Sequence, residues 1–196
     1  MTDVVLFHHV QGLTDGVKAF AGQLAEGGHT VHTPDLFDGE TPASLEEGMA
    51  FARSLDDDAV RERVDAALSG LPPELVFAGI SFGVMEAQRL AQTRPGARGA
   101  LLYEGCLPVT GEWAVGPWPD GVPVQIHGKD DDAIFAHEGD VDAAREIVAA
   151  VGSDHGELFL YPGDAHLFLD SSLPTYDAEA TALAVQRSRA LLDRVR

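Results

Sequence analysis

The sequence contains a single cysteine, Cys106, and therefore has no partner for an internal disulfide bond. Chains without disulfide bonds are typical of reducing compartments. No apolar stretch approaches the roughly 20 residues that a helix needs to cross a bilayer. The N-terminus leads straight into a short strand-like run, with no basic segment before it. We therefore expect a cytoplasmic protein.

Basic residues are also scarce. The chain has 13 Lys and Arg against 32 Asp and Glu, which gives a formal net charge of −19. A charge of this sign repels nucleic-acid phosphates and anionic membrane surfaces. We expect neither nucleic acid nor a membrane as a partner, and we attribute the acidity to solubility.

The length and composition are those of a globular protein. The chain has 196 residues, of which 45% are hydrophobic, and it contains no low-complexity tract or internal repeat. This length suits one domain with a substantial core and is short for two. The sequence predicts a single domain over residues 1–196, as a monomer or a homodimer.

Short apolar runs bounded by turn residues alternate with amphipathic stretches along the chain. The runs predict strands at Asp3 to His9, His29 to Thr33, Leu75 to Ile80, Gly99 to Glu104, Val122 to His127 and Glu157 to Tyr161. The amphipathic stretches predict helices that include Val17 to Leu24, Ser44 to Leu55, Asp57 to Leu68 and Ala180 to Val195.

Strands that are apolar throughout indicate a sheet covered on both faces. Right-handed crossovers then give a doubly wound α/β fold, a three-layer sandwich with a mostly parallel sheet in the order 2-1-3-4-5-6. Ligands of such sheets bind beyond the carboxyl ends of the strands, where the winding reverses. In this order the reversal falls between the first and third strands.

A G-x-S-x-G pentapeptide, formed by Gly79, Ser81 and Gly83, follows the third predicted strand and precedes a helical stretch. A turn this tight strains its central residue and holds the serine hydroxyl above the sheet, which is the arrangement of a nucleophile. The N–H of Phe82 is then one donor to an oxyanion, and Val10 or Gln11 would supply the second. The alternative is a turn of small residues with a packing role only.

A nucleophilic serine needs a base and an orienting carboxylate, which in this fold follow it along the chain in the order acid, then histidine. Asp130, Asp131 and Asp132 come after the fifth predicted strand, and His166 lies in a glycine-containing loop after the sixth. The order is therefore satisfied, although the pattern alone does not choose among the three aspartates.

The remaining histidines give weaker signals. His8 and His9 end the first predicted strand, where they either line the crevice or are simply polar strand ends. His29 and His32 are spaced so that a strand points them to opposite faces, which argues against a metal site. We expect neither a metal nor another cofactor.

The chain resembles the α/β-hydrolase superfamily, and within it the dienelactone hydrolase family, over nearly its whole length. The segments that carry the resemblance are "VVLFHHVQG", "GHTVHTPDLFDG", "GISFG" and "YPGDAHLF". The resemblance implies that Ser81 is the nucleophile, that His166 is the general base and acid, and that one aspartate orients His166. Matching the family's spacing favours Asp132, whereas a simpler count from Gly128 favours Asp130; we choose Asp132.

Three positions depart from the family's pattern. Ser81 stands where dienelactone hydrolases proper have cysteine, so the resemblance does not imply their thiolate mechanism. His9 takes the place of a glutamate in the first strand-helix turn, if Gly12 is the matching glycine. Asp170 replaces an arginine that binds the carboxylate of the lactone, so a carboxylate-bearing dienelactone would meet a negative charge and is not the expected substrate.

Together these features predict a serine hydrolase, free of cofactors, that cleaves a small carboxylic ester or lactone through an acyl-enzyme. The short connection from Cys106 to Asp120 leaves no room for a large cap domain. The alternatives are acyl transfer to an alcohol, or a binding or scaffolding protein that retains the fold without catalysis. The residues expected to line the pocket are His9, Gln11 and Phe135, with Phe82, Trp113 and Trp118 as further apolar walls.

Overall fold

Six parallel strands form one sheet in a computed structural model of the protein, which describes residues 1–112 and 114–196. The strands are β1 (Asp3–Phe7), β2 (Thr30–His32), β3 (Leu75–Ile80), β4 (Ala97–Tyr103), β5 (Val124–Lys129) and β6 (Gly156–Tyr161). The helices are α1 (Asp15–Ala25), α2 (Leu45–Ser54), α3 (Asp57–Leu68), α4 (Val84–Thr93), α5 (Asp140–Val151) and α6 (Ala178–Arg194).

The order of the strands is β2-β1-β3-β4-β5-β6, and every neighbouring pair is parallel. The predicted fold class and strand order are therefore confirmed. The chain winds from β1 outward to β2 and then returns past β1 to β3, so the winding reverses between β1 and β3. The carboxyl ends of these two strands define the crevice in which ligands of such sheets bind.

The sheet separates two hydrophobic clusters, as a sandwich of three layers requires. Successive residues of β1 point to opposite faces: Val4 and Leu6 pack with α1 and α6, whereas Val5 and Phe7 pack with α3, α4 and α5. Since β3 is buried at every position, its run of apolar residues reflects burial on both faces.

The ends of several strands differ from the sequence prediction. β1 ends at Phe7 rather than His9, because its register with β3 ends at the Phe7–Gly79 pair. β4 ends at Tyr103 rather than Glu104, because Glu104 has a φ of +56° and leaves the extended conformation. β5 lies two residues later than predicted and runs to Lys129, which pairs with Tyr161 of β6.

The connection between β4 and β5 carries no helix or strand in the residues that the structure describes, 104–112 and 114–123. No helix within the described ranges has the length and apolarity needed to cross a membrane.

Candidate active site

Ser81 occupies the tight turn between β3 and α4, at the carboxyl edge of the sheet. Its φ is +49°, in the left-handed region that residues other than glycine rarely adopt. A short 3₁₀ helix, Ser81–Gly83, leads from this turn into α4. The side chain is half-buried, so its hydroxyl is held at the rim of the crevice by a strained backbone.

Both glycines of the pentapeptide are required by close backbone approaches. A Cβ on Gly79 would lie 2.3 Å from the carbonyl oxygen of Gly83, and a Cβ on Gly83 would lie 2.3 Å from the carbonyl oxygen of Phe7. The first contact lets the strand turn directly into the helix, and the second lets the helix start against β1. The spacing of the motif therefore reflects packing around Ser81.

His166 reaches Ser81 from the loop after β6. The Oγ atom of Ser81 and the Nε2 atom of His166 are 2.9 Å apart, within hydrogen-bond distance. The Nδ1 atom of His166 lies 2.6 Å from Oδ2 of Asp132, in the loop after β5. Three loops of the same sheet edge thus bring a hydroxyl, an imidazole and a carboxylate into one hydrogen-bonded row.

Asp132 is the aspartate of the three that meets His166, and the other two point elsewhere. Its Oδ1 atom accepts hydrogen bonds from the amides of Ile134, at 2.9 Å, and Phe135, at 3.3 Å, so the carboxylate is fixed and fully buried. Asp130 accepts from the amide of Gly163, and Asp131 contacts His137 at the surface.

Electrostatics around His166 favour its protonated form. Burial by itself lowers the pKa of this imidazole, but the hydrogen bond to Asp132 and the negative charges of Glu104 and Asp140 outweigh the burial. The net result is a pKa raised above the ordinary histidine value. The imidazolium that forms when His166 accepts a proton is thereby stabilised.

The two residues considered for the second oxyanion donor differ in whether their backbone N–H has an acceptor among the described residues. Gln11, one of the two residues considered for this role, donates its N–H to Nδ1 of His9 at 3.1 Å. Val10 donates its N–H to no described residue and lies beside Ser81 in the crevice. The geometry therefore leaves Val10, with Phe82, as the candidate pair of oxyanion donors.

His8 and His9 are both fully buried, and the expectation that His9 lines the pocket is wrong. The Nε2 atom of His9 contacts Oδ2 of Asp170 at 2.8 Å, and its Nδ1 accepts from Gln11. The Nδ1 atom of His8 donates a hydrogen bond to the carbonyl oxygen of His9, and its Nε2 atom accepts one from the amide of Leu36. Burial lowers the pKa of His8 to about 4. Both histidines hold the turn after β1 in place.

Asp170 is also buried, which removes the argument against anionic substrates. Beyond its contact with His9, it accepts hydrogen bonds from the hydroxyls of Thr14 and Ser172. Burial raises its pKa, but these hydrogen bonds outweigh burial and lower the value to about 2. Because Asp170 is 1% exposed and is hydrogen-bonded to His9, Thr14 and Ser172, its carboxylate does not contact a substrate in the crevice.

A pocket of about 200 Å³ opens next to Ser81. Its walls come from the turn after β1, from α2, from the turn that carries Ser81 and from the loop that carries Asp132. The lining residues are Val10, Leu45, Met49, Ala52, Arg53, Ser81, Phe82 and Ile134. Arg53 is exposed and lies within 4 Å of no described carboxylate, so it is the positive charge of an otherwise apolar wall.

Several residues expected to line the pocket lie elsewhere. Phe135 is fully buried and packs against Gly128 in the core, and its neighbour Ile134 lines the pocket instead. The Gln11 side chain is buried and donates to the carbonyl oxygen of Pro42.

The two tryptophans stand apart from the pocket for different reasons. Trp118 packs in the core and donates its indole N–H to the carbonyl oxygen of Val122. Trp113 falls outside the described residues. Phe82 is therefore the aromatic residue, among those expected as walls, that the structure places in the pocket.

A larger cavity, of about 450 Å³, lies at the opposite end of the sheet, where Arg98, His155 and Arg194 line it. Ser81, His166 and Asp132 are not among its lining residues. We therefore take the pocket of about 200 Å³, which Ser81 lines, as the candidate active site.

The sequence profile of the dienelactone hydrolase family matches residues 1–195. The chain belongs to this family. No match was found among the curated proteins.

Solved structures of related proteins share the fold. A protein from Klebsiella pneumoniae subsp. pneumoniae MGH 78578, named for the dienelactone hydrolases, is 18% identical, with a TM-score of 0.75, 99% of this chain covered and 87% of that one. The dienelactone hydrolase-like promiscuous phosphotriesterase P91, from metagenomic libraries, is 20% identical, with a TM-score of 0.75 and coverages of 100% and 87%. Thermogutta terrifontis esterase 2 is 19% identical, with a TM-score of 0.66 and coverages of 99% and 83%.

Sequence reasoning about this dienelactone hydrolase family member missed two polar residues of the site. Glu104, the residue directly after β4, lies against His166 and Asp132. The available signal was a charged residue that ends an apolar strand beside β3. Arg53 has no comparable signal, since only the path of α2 over the crevice brings its side chain to Ser81.

We expect the burial difference between Phe135 and Ile134 to appear in stability measurements. Replacing Phe135 by Ala removes a ring from the core and should lower the free energy of unfolding by about 3–5 kcal/mol. The adjacent Ile134→Ala change, at a half-buried pocket position, is the matched control and should cost clearly less. Urea unfolding measures both, and equal losses would contradict the placement of Phe135.

Asp170 should contribute stability that depends on pH. A pKa lowered from 3.8 to about 2 stabilises the folded state above pH 4, and that contribution fades as pH falls towards 2. The Asp170→Asn variant should therefore be about 2 kcal/mol less stable than the parent at neutral pH, with a smaller difference at pH 2 to 3. Exposed Asp15→Asn is the control, and urea unfolding across this pH range is the measurement. A difference that stays constant with pH would contradict the lowered pKa of Asp170.

Proposed function

We propose that this family member is a serine hydrolase that cleaves small carboxylic esters or lactones through an acyl-enzyme. The observation that carries the proposal is the row formed by Ser81 Oγ, the imidazole of His166 and the Asp132 carboxylate, with separations of 2.9 and 2.6 Å. Nucleophile, base and orienting acid all stand at the distances that such chemistry uses.

In this proposal Ser81 Oγ attacks the carbonyl carbon of the ester, while Nε2 of His166 takes the hydroxyl proton. The carbonyl oxygen becomes an oxyanion, which the N–H groups of Val10 and Phe82 stabilise. His166 then returns the proton to the departing alkoxide, and the acyl group stays on Ser81. Water, deprotonated by the same imidazole, releases the acid and restores the serine.

Asp132 has an electrostatic and orienting role in this scheme. Its Oδ2 atom accepts the hydrogen bond from Nδ1–H of His166, which leaves Nε2 unprotonated and directed at Ser81. Two backbone amides hold the other carboxylate oxygen, so the acid does not turn away from the ring. It stabilises the imidazolium and does not itself accept the proton.

The pocket favours compact acyl groups. Its volume of about 200 Å³ lies below the range of about 300–1,000 Å³ that is usual for drug-sized ligands. Leu45, Met49 and Ile134 supply apolar contacts, and Arg53 is suited to a polar or anionic substituent at the rim. A lactone that carries a carboxylate is therefore compatible with these walls, contrary to the expectation from the sequence.

The alternative is a protein that keeps the fold and binds a ligand without reacting. Features that a binding role does not require speak against it. A strained serine, an imidazole within hydrogen-bond distance and a buried carboxylate behind the ring together lower the stability of the fold. Catalysis explains why these residues are kept despite that cost, whereas ligand binding alone does not.

Single substitutions in the row test the proposed function. Ser81→Ala and His166→Ala should each lower kcat for a small p-nitrophenyl ester by about 10³-fold or more, with Asp132→Asn close behind. Asp130→Asn and Asp131→Asn are matched controls, because both carboxylates lie near Asp132 but away from His166, and they should remain near the parent rate. Circular dichroism checks that each variant is folded.

Two results would contradict the proposal. One is a Ser81→Ala protein that hydrolyses the ester as fast as the parent. The other is an Asp132→Asn variant as active as Asp131→Asn, which would remove Asp132 from the chemistry.

A further inference from the structure

We propose that Glu104 is a positioning residue for this hydrolysis: a second carboxyl group, besides Asp132, that acts on the imidazole of His166. The inference rests on the proposed function, since it gives a role to another residue of the same site. It assigns a functional side chain to the end of the sheet at which β4 stops, between the turn that carries Ser81 and the loop that carries Asp132.

The first observation is proximity. One carboxylate oxygen of Glu104, one of Asp132 and a ring nitrogen of His166 all lie within 4.8 Å of one another. Glu104 and Asp132 are essentially inaccessible to solvent. Charges at this separation interact strongly, because little water lies between them to screen the field.

The second observation is an unsatisfied oxygen. The Oε1 atom of Glu104 accepts a hydrogen bond from the amide of Phe168, at 3.1 Å. The Oε2 atom is buried and accepts no well-formed hydrogen bond from residues 1–112 and 114–196, although the backbone amide of Leu167 faces the carboxyl group and helps to lower its pKa. Buried carboxyl groups with a purely structural role normally use both oxygens, so the free one requires another explanation.

The third observation is backbone strain. Glu104 has a φ of +56°, and its N–H donates to the carbonyl oxygen of His127 at 2.7 Å. A glutamate in the left-handed region is costly and persists only where surrounding contacts impose it. Here the strain aims a long acidic side chain back under the loop that carries His166.

The charge of Glu104 is coupled to that of His166. Burial raises the pKa of Glu104 to about 7, against a smaller opposing effect of the His166 charge. In turn, the Glu104 charge raises the pKa of His166. The other acidic groups that face this imidazole are Asp132, from the loop after β5, and Asp140, from the start of α5.

These contacts define what Glu104 does. When His166 takes the proton of Ser81, the positive charge of the ring is shared between two carboxylates rather than one. Asp132 binds Nδ1 directly, whereas Glu104 acts through space and only in its ionised form. No proton leaves the imidazole for Glu104, and no bond forms between them. Removing the charge should therefore lower the pKa of His166.

Proton NMR of the His166 ring tests this coupling without any reference to turnover. In the Glu104→Gln protein, whose amide oxygen can still accept from Phe168, the pKa of His166 should fall by about one unit. The control is Glu157→Gln, a half-buried glutamate of β6 that pairs with Arg194. A His166→Asn variant assigns the signal. A shift no larger than in the control would overturn the inference.

The parent protein and Glu104→Asp keep the test decisive if Glu104→Gln does not fold. In the parent, the titration of His166 should show a second inflection near neutral pH, from ionisation of Glu104. The Glu104→Asp change keeps a carboxylate but shortens the side chain by one methylene group, so the pKa of His166 should fall below that of the parent. A single inflection in the parent, together with an unchanged pKa of His166 in Glu104→Asp, would overturn the inference.

Kinetics separate the failure of this inference from the failure of the proposed function. In the parent, the acid limb of kcat/KM follows the pKa of His166, and Glu104→Gln should move that limb to lower pH.

In an Asp132→Asn background, Glu104→Gln should cost about tenfold more activity than it costs alone, because the remaining carboxylate is then lost. Equal costs, in an enzyme that hydrolyses esters, would refute the role of Glu104 only. A parent without esterase activity would refute the proposed function, while the NMR titration would still report on the coupling.

Discussion

The candidate active site depends on the hydrogen bond between Ser81 and His166, which joins residues 85 positions apart in the sequence. It exists only because parallel strands deliver their carboxyl ends to one edge of the sheet. The turn after β1 holds Val10, the turn after β3 holds Ser81, the loop after β5 holds Asp132, and the loop after β6 holds His166. Each partner is held by contacts of its own, so the row does not depend on a single flexible loop.

The fold and the hydrogen-bonded row were largely readable from the sequence, because their signals are local. Apolar runs marked the strands, and the glycines at positions 79 and 83 marked a turn that backbone packing requires. The order of acid and histidine along the chain followed from the order of the strands. The choice among Asp130, Asp131 and Asp132 could not be made this way. A shift of the loop by one residue would place a different carboxylate against the His166 ring.

The pocket walls were harder to predict, because they depend on side-chain direction at single positions. Phe135 and Ile134 are adjacent, yet one fills the core and the other faces the crevice. The sequence also places His9 at the mouth of the crevice, whereas the hydrogen bond to buried Asp170 draws it inward. Glu104 was overlooked because nothing in its local sequence shows that the chain turns into the left-handed region there.

Covalent labelling of the parent protein tests the central claim most directly. A fluorophosphonate reacts with a serine only where a base has activated the hydroxyl and N–H donors stabilise the developing negative charge. We predict stoichiometric labelling that peptide mapping assigns to Ser81 and that His166→Ala abolishes. Folded protein that stays unlabelled at Ser81, or that is labelled equally well without His166, would contradict the account.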